Sequence, residues 1–109
     1  MSFMAPEMLI RNNNFDCRVE AWSLGVILYQ LLTGYVPFYS VNKRELAHKI
    51  VLTNIDYTQE IWETLSIESQ DLVENLLIKD PEKRLTVGEV LVNSWITDTS
   101  IDEKVQFLN

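Results

Sequence analysis

Apolar positions along the chain fall into a few helical patterns separated by turn signals. From Val19 to Thr33 they lie on almost every face of a helix, with Val19, Ala21, Trp22, Leu24, Val26, Ile27, Leu28, Tyr29, Leu31 and Leu32 interrupted only by Glu20, Ser23, Gly25 and Gln30. Such a segment predicts burial all round rather than along one stripe, and hence the axis of the fold. Gly34 fits as its left-handed terminator, and Pro37 prevents resumption. Asp16 is placed to cap its start, while Pro6 and the run Asn12-Asn13-Asn14 make the first dozen residues irregular.

Three further helices are expected. Asn42 with Glu45 has capping-box spacing, and Leu46, Ile50 and Val51 recur at helical intervals over roughly 42–52, leaving Lys43, Arg44, His48 and Lys49 on a wet face. Residues 53–65 have no clear period and contain Trp62, an anchor for a loop or short turn. Ser66 can cap the next helix, in which Leu72, Val73, Leu76 and Leu77 form one stripe while Glu68, Asp71, Glu74 and Asn75 face water. Asp80-Pro81 is expected to end it. Thr86 and Glu89 make a second capping box before Val90, Leu91 and Trp95, and the polar residues beyond Thr97 are expected to fray.

Composition narrows the function. The 109 residues are 47% hydrophobic and carry a net charge of −7, enough for one core and too little for two. A single Cys and a single His provide neither an internal disulfide nor a structural zinc site. The acidic balance argues against nucleic acid as a partner. Residues 1–55 hold four acids and five bases, and residues 56–109 twelve acids and four bases; the acidic half reads as a well-solvated surface. The most apolar stretch, Ala21 to Leu32, is far shorter than the ~20 residues that cross a bilayer, so no membrane is expected. No basic, apolar and small-residue leader pattern opens the chain, and a cytoplasmic location is the expectation. These observations alone stop at an all-α domain without a catalytic group.

Three ordered segments carry the reading further. They are Phe3-Met4-Ala5-Pro6-Glu7; Val19-Glu20-Ala21-Trp22-Ser23-Leu24-Gly25 running on through Gly34-Tyr35-Val36-Pro37-Phe38; and Lys79-Asp80-Pro81-Glu82-Lys83-Arg84-Leu85-Thr86 followed by Asn93-Ser94-Trp95-Ile96. In order and spacing they resemble the C-terminal lobe of eukaryotic protein kinases: the Ala-Pro-Glu element that closes the activation segment, the buried central helix with its exit loop, and the loop and last helix of the domain. The resemblance covers residues 2 to about 97. In detail it is most similar to serine/threonine kinases of the calcium/calmodulin-regulated group.

The resemblance implies an all-α partial kinase C-lobe over residues 1–97 with a polar tail over 98–109. It implies structural roles for Glu7, Arg84, Glu20, Trp22, Gly25 and Trp95, with Glu7 and Arg84 meeting in a largely buried ion pair. It places a substrate-side loop at Met4-Ala5-Pro6 and a docking surface around Lys43 and Arg44. Glu20 stands where the family normally has an aspartate bonded to the catalytic loop, and its extra methylene puts that anchor in doubt.

Phosphoryl transfer needs a Gly-rich loop, a strand lysine with its helix glutamate, a catalytic-loop Asp and Asn, and an Asp-Phe-Gly aspartate for magnesium. None of these occurs in the 109 positions: Gly25, Gly34 and Gly88 are far apart, and His48 is followed by Lys49-Ile50. The expectation is a kinase-lobe fragment with no catalytic, cofactor or metal residues of its own, ATP and magnesium being implied only for a complete parent. Its partners would be a protein substrate or regulator, the remaining kinase parts, or a second copy through exposed apolar surface. The alternative is a freestanding kinase-like interaction module.

Overall fold

The computed structural model describes residues 3–10 and 15–92. The Asn12-Asn13-Asn14 turn, Trp95 with the rest of Asn93-Ser94-Trp95-Ile96, and the 98–109 tail lie outside the described residues. Six helices follow one another: α1 (Pro6–Leu9), α2 (Arg18–Thr33), α3 (Lys43–Leu52), α4 (Glu60–Glu63), α5 (Ile67–Leu76) and α6 (Val87–Val90). No strand occurs among the described residues.

α2 is the centre. The Asp16 carboxylate accepts the Arg18 backbone N–H at 3.0 Å, so the aspartate serves the helix start although Cys17 is the flanking residue. At the other end Gly34 takes φ 81° and donates its N–H to Gln30 O at 2.8 Å, a left-handed stop that only glycine adopts without strain. α5 packs along α2, and α1 packs against α3. Close approach of α2 to the end of α5 depends on Gly25, where a Cβ would fall 2.8 Å from Leu77 Cδ2 and 2.9 Å from Leu76 Cβ.

The main core joins Trp22, Val26 and Tyr29 of α2 to Leu46, Ile50, Trp62, Val73 and Leu77. A second cluster sets Ala21 against Leu72, Leu76 and Val90. Trp62 in α4 anchors its segment, its ring 5.8 Å from Tyr29 and 4.7 Å from Tyr57, and the Tyr29 hydroxyl donates to Asp56 O at 2.9 Å. Ser66 caps α5 by accepting from Ser69 N, and Thr86 with Glu89 forms a reciprocal capping box on α6.

Three expectations change. α2 is not buried all round: Ile27 is 43% and Leu31 76% exposed, the former on the rim of an open groove with Met4 and Met8. α5 ends at Leu76 rather than at Asp80, since the carbonyls of Asn75, Ile78 and Lys79 are bonded by Leu85 N–H and the Arg84 guanidinium instead of continuing the helix. Asn42 caps α3 by accepting from Arg44 N and Glu45 N, but the box does not close. Glu45 turns to Lys49 at 3.6 Å, and the Asn42 N–H is taken by the Ser40 hydroxyl.

Candidate functional site

The site forms where the first described segment meets the loop after α5. Ala5 is extended, and Pro6 opens α1 at a position whose N–H has no helical partner and whose φ is already suited to a helix. This single turn carries Glu7 inward, leaving it 2% exposed. Ser23 of α2 holds the approach by donating its hydroxyl to Phe3 O at 2.8 Å.

Arg84 is aimed from the opposite side by a turn around Asp80, whose backbone oxygen accepts Lys83 N and Arg84 N at 3.1 Å each. The Asp80 carboxylate accepts Glu82 N at 3.0 Å. Within the protein the guanidinium uses all five of its N–H donors. Nη1 and Nη2 reach the two Glu7 carboxylate oxygens at 2.7 and 2.8 Å, a fork-to-fork pair. The remaining donors go to Ile78 O (2.8 Å), Arg18 O (2.9 Å) and Lys79 O (3.1 Å). Planar guanidinium matches this set as an ammonium with three donors could not.

Trp22 lies under the clamp. Its ring is 5.1 Å from Arg84 Cζ and nearly parallel to Phe38 at 6.4 Å, with an interplanar angle of 4°. Its buried indole N–H has no partner among the described residues. Lys79 approaches from the other side, its ammonium 4.6 Å from the Phe38 ring centre and bonded to Ile50 O near the end of α3. Burial pushes the Lys79 ammonium down to about 8 from its ordinary 10.5.

The structure thus brings Glu7, Arg84 and Trp22 together, with Gly25 one helical turn further along α2. Glu20 stands apart: it is exposed and makes no hydrogen bond or ion pair among the described residues, on the edge of an apolar groove of about 410 Å³ shared with Met4, Met8, Val19, Leu24 and Ile27. Ala5 and Pro6 are buried, so of the loop expected to face a partner only Met4 offers a side chain. Lys43 and Arg44 are exposed on α3, outside the groove that Met4 lines. Trp95 lies outside the described residues. Sequence reasoning passed over two contributors. Ser23 had the signal of a lone hydroxyl beside Trp22 in an apolar helix, and Lys79 that of a cation directly after an apolar stripe.

The arrangement is a clamp, holding α1, the start of α2 and the loop after α5 in one place. Among the described residues no group of three or more His, Cys, Asp or Glu side chains could hold a metal ion. Gly25 is packed inside α2, Gly34 ends that helix and Gly88 lies in α6, so these glycines form no backbone cradle for phosphates. The described residues therefore do not fit magnesium-bound ATP.

A family profile described as the protein kinase domain matches residues 1–96. Calcium-dependent protein kinase 24 of Arabidopsis thaliana is 46% identical over 94 residues, covering 86% of this chain and 16% of that protein. Calcium-dependent protein kinase 29 of the same plant is 38% identical over 102 residues, covering 94% of this chain and 19% of that protein. Calcium-dependent protein kinase 19 of Oryza sativa subsp. japonica is 36% identical over 102 residues, with 94% and 19% covered. The chain thus spans less than a fifth of the length of these relatives. With a buried Glu7–Arg84 clamp at the places its motifs assign and a family match along nearly its whole length, the chain belongs to the protein kinase domain family and is a partial, helical C-terminal lobe similar to that of calcium-dependent protein kinases.

Proposed function

We propose that this chain is the substrate-side part of the C-terminal lobe of a serine/threonine kinase, and that these 109 residues transfer no phosphoryl group by themselves. A complete parent would move the γ-phosphate of ATP, with magnesium, to serine or threonine of a protein. By analogy with the relatives' names, calcium would control it. The observation that carries the reading is the Glu7–Arg84 clamp, whose five hydrogen bonds serve position alone: every guanidinium donor is spent on holding a segment, and none faces a reacting group. Glu7, Arg84, Trp22 and Gly25 are positioning residues in this reading, Glu20 has no catalytic part, and the cytoplasm is its setting.

The test has two parts. The chain is incubated with γ-labelled ATP, magnesium and a mixed serine/threonine peptide pool, and titrated with magnesium-ATP by calorimetry. No incorporation and no heat of binding are expected, and incorporation that scales with chain concentration would overturn the non-catalytic reading. An immunoblot of source cells with an antibody to Ser66–Pro81 should reveal a band far above the chain's 12.7 kDa. A sole band at 12.7 kDa would instead favour a freestanding interaction module.

A further inference from the structure

Lys79 differs from the other lysines among the described residues. Lys43 and Lys83 are exposed, and Lys49 pairs with Glu45 at 3.6 Å. The half-buried Lys79 side chain instead turns inward from the loop after α5. Its ammonium donates to Ile50 O and lies 4.6 Å from the Phe38 ring centre and 5.8 Å from that of Trp22. No carboxylate among the described residues comes within ion-pair distance of it.

An amine so placed is a different reagent from a surface lysine, because its unprotonated form is the nucleophile and loss of water favours that form. Burial pushes Lys79 down to about 8, so about half of it is neutral at pH 8, against roughly 0.4% of an ordinary lysine. The charges around it are mixed: Glu74 of α5 and Asp80 stand against Lys83 on the same cavity wall and against Arg84, which shares the Trp22 ring and is itself paired with Glu7. Lys79 lines this open cavity of about 530 Å³, whose apolar side is Ile55, Tyr57, Leu77 and Ile78. The volume falls within the roughly 300–1,000 Å³ of small-molecule sites.

We propose that Lys79 is an acylation site for small acyl thioesters, its amine turning from the Phe38 face into the cavity and the acyl group settling on the apolar side. The unprotonated amine attacks the thioester carbonyl carbon. A C–N bond forms, the C–S bond breaks, the thiolate leaves, and the proton of the attacking nitrogen passes to solvent. The product amide carries no charge and a single N–H. Phe38 thus loses its cation and Ile50 O its ammonium donor, which frees the last turn of α3. The step draws on no phosphotransfer and stands apart from the proposed function.

The probe is acetyl-coenzyme A, incubated with the 109-residue chain and followed by mass spectrometry after digestion with a glutamate-specific protease. Cleavage after Glu45, Glu60, Glu74, Glu82 and Glu89 leaves Lys43, Lys49, Lys79 and Lys83 on separate peptides. At pH 8 the advantage in neutral amine, less the cost of leaving the Phe38 face, should label Lys79 about tenfold faster than Lys43 or Lys83. Its rate should level off above pH 8 while theirs still climb at pH 10, and in urea the preference should vanish. Asn54→Asp adds a carboxylate to the cavity wall and Glu74→Gln removes one, both at exposed positions; they should slow and speed labelling of Lys79 about threefold each. In the acetylated chain the Leu52 and Thr53 amides should exchange hydrogen faster. Labelling of Lys79 no faster than of Lys43 and Lys83, a preference that survives in urea, or rates that both variants leave unmoved would overturn the proposal. Unchanged exchange at Leu52 and Thr53 after acetylation would overturn the release of α3.

Discussion

Replacing Arg84 by alanine probes the clamp most directly. The side chain of Arg84 is fully inaccessible and that of Glu7 is 3% exposed, so the variant leaves a carboxylate buried without its counter-charge. Breaking a buried pair from one side typically costs ~3–5 kcal/mol. The Ile78, Arg18 and Lys79 carbonyls also lose their donors, and the Trp22 face loses its cation at 5.1 Å. A small domain has about 5–15 kcal/mol in hand and loses roughly 4–8 °C of melting temperature per kcal/mol. Arg84→Ala is therefore expected to lower the melt by well over ten degrees or to leave the chain unfolded at room temperature.

Partner variants separate charge from shape. Arg84→Lys keeps the charge but has at most three donors for five bonds, so it should recover only part of the loss. Glu7→Gln keeps the outline and removes the charge, and should fall near Arg84→Ala. The double variant Glu7→Leu/Arg84→Met strands no charge and should be more stable than either Glu7→Gln or Arg84→Ala. Urea and thermal unfolding followed by far-UV circular dichroism provide the readout. An Arg84→Ala melt within the error of the wild type would refute the reasoning, because it would mean that the pair is solvated.

Gly25→Ala places a Cβ 2.8–2.9 Å from Leu76 and Leu77, and forcing the helices apart should destabilise by about 1–3 kcal/mol in urea unfolding, despite alanine's better helix propensity. Thr86→Ala removes the acceptor for Glu89 N at 3.1 Å and half of the α6 capping box; a loss of about 1 kcal/mol is expected by the same measurement. For Lys79, the fold depresses the ammonium to about 8 against 10.5 when unfolded. Below pH 8 it is charged in both states; between these values the unfolded chain holds the proton more tightly, so stability rises with pH through that window. Tyr29 and Tyr57, whose phenols are raised above 10.0 by burial, oppose this only above pH 10. Unfolding midpoints taken from pH 7.5 to 9.5 should climb in the wild type and stay flat in Lys79→Met.

Local signals were read well where the partner of a group lies within a turn of it. Gly34 ends α2, Ser66 starts α5 and Thr86 with Glu89 closes a box, each through contacts at most four residues apart. The same spacing misled at Asn42, because Ser40 and Lys49 compete for the two halves of the box there. The exposure of Ile27 and Leu31 was not legible either: an apolar segment states that a face needs cover, not what covers it. For the site, the motif resemblance paired Glu7 with Arg84 as a largely buried ion pair, and the two carboxylate oxygens do meet the guanidinium. That the guanidinium also collects three carbonyls, and that Ala5 and Pro6 are buried beneath the loop they belong to, follows from tertiary placement alone.

The misplaced end of α5 has the same origin, and it bears on what the buried Arg84 and the half-buried Lys79 do. The last carbonyls of a helix need donors, and proteins commonly satisfy them with a glycine just past the end. α2 follows that route at Gly34. α3 and α5 have no glycine at their ends, and Thr53 and Leu77 stand there instead. Lys79 donates to Ile50 O in the last turn of α3, and Arg84 donates to Ile78 O and Lys79 O just beyond α5. A positive charge at a helix C-terminus is also favoured by the helix dipole. Lys79 thus serves the end of α3 from 29 residues away and Arg84 holds the loop that follows α5, while the charge of each is answered by an aromatic face or by Glu7. The loop after α5 and the clamp are then one arrangement, and a substitution at Arg84 strips the Ile78 and Lys79 carbonyls of their donors together with the anchor of α1.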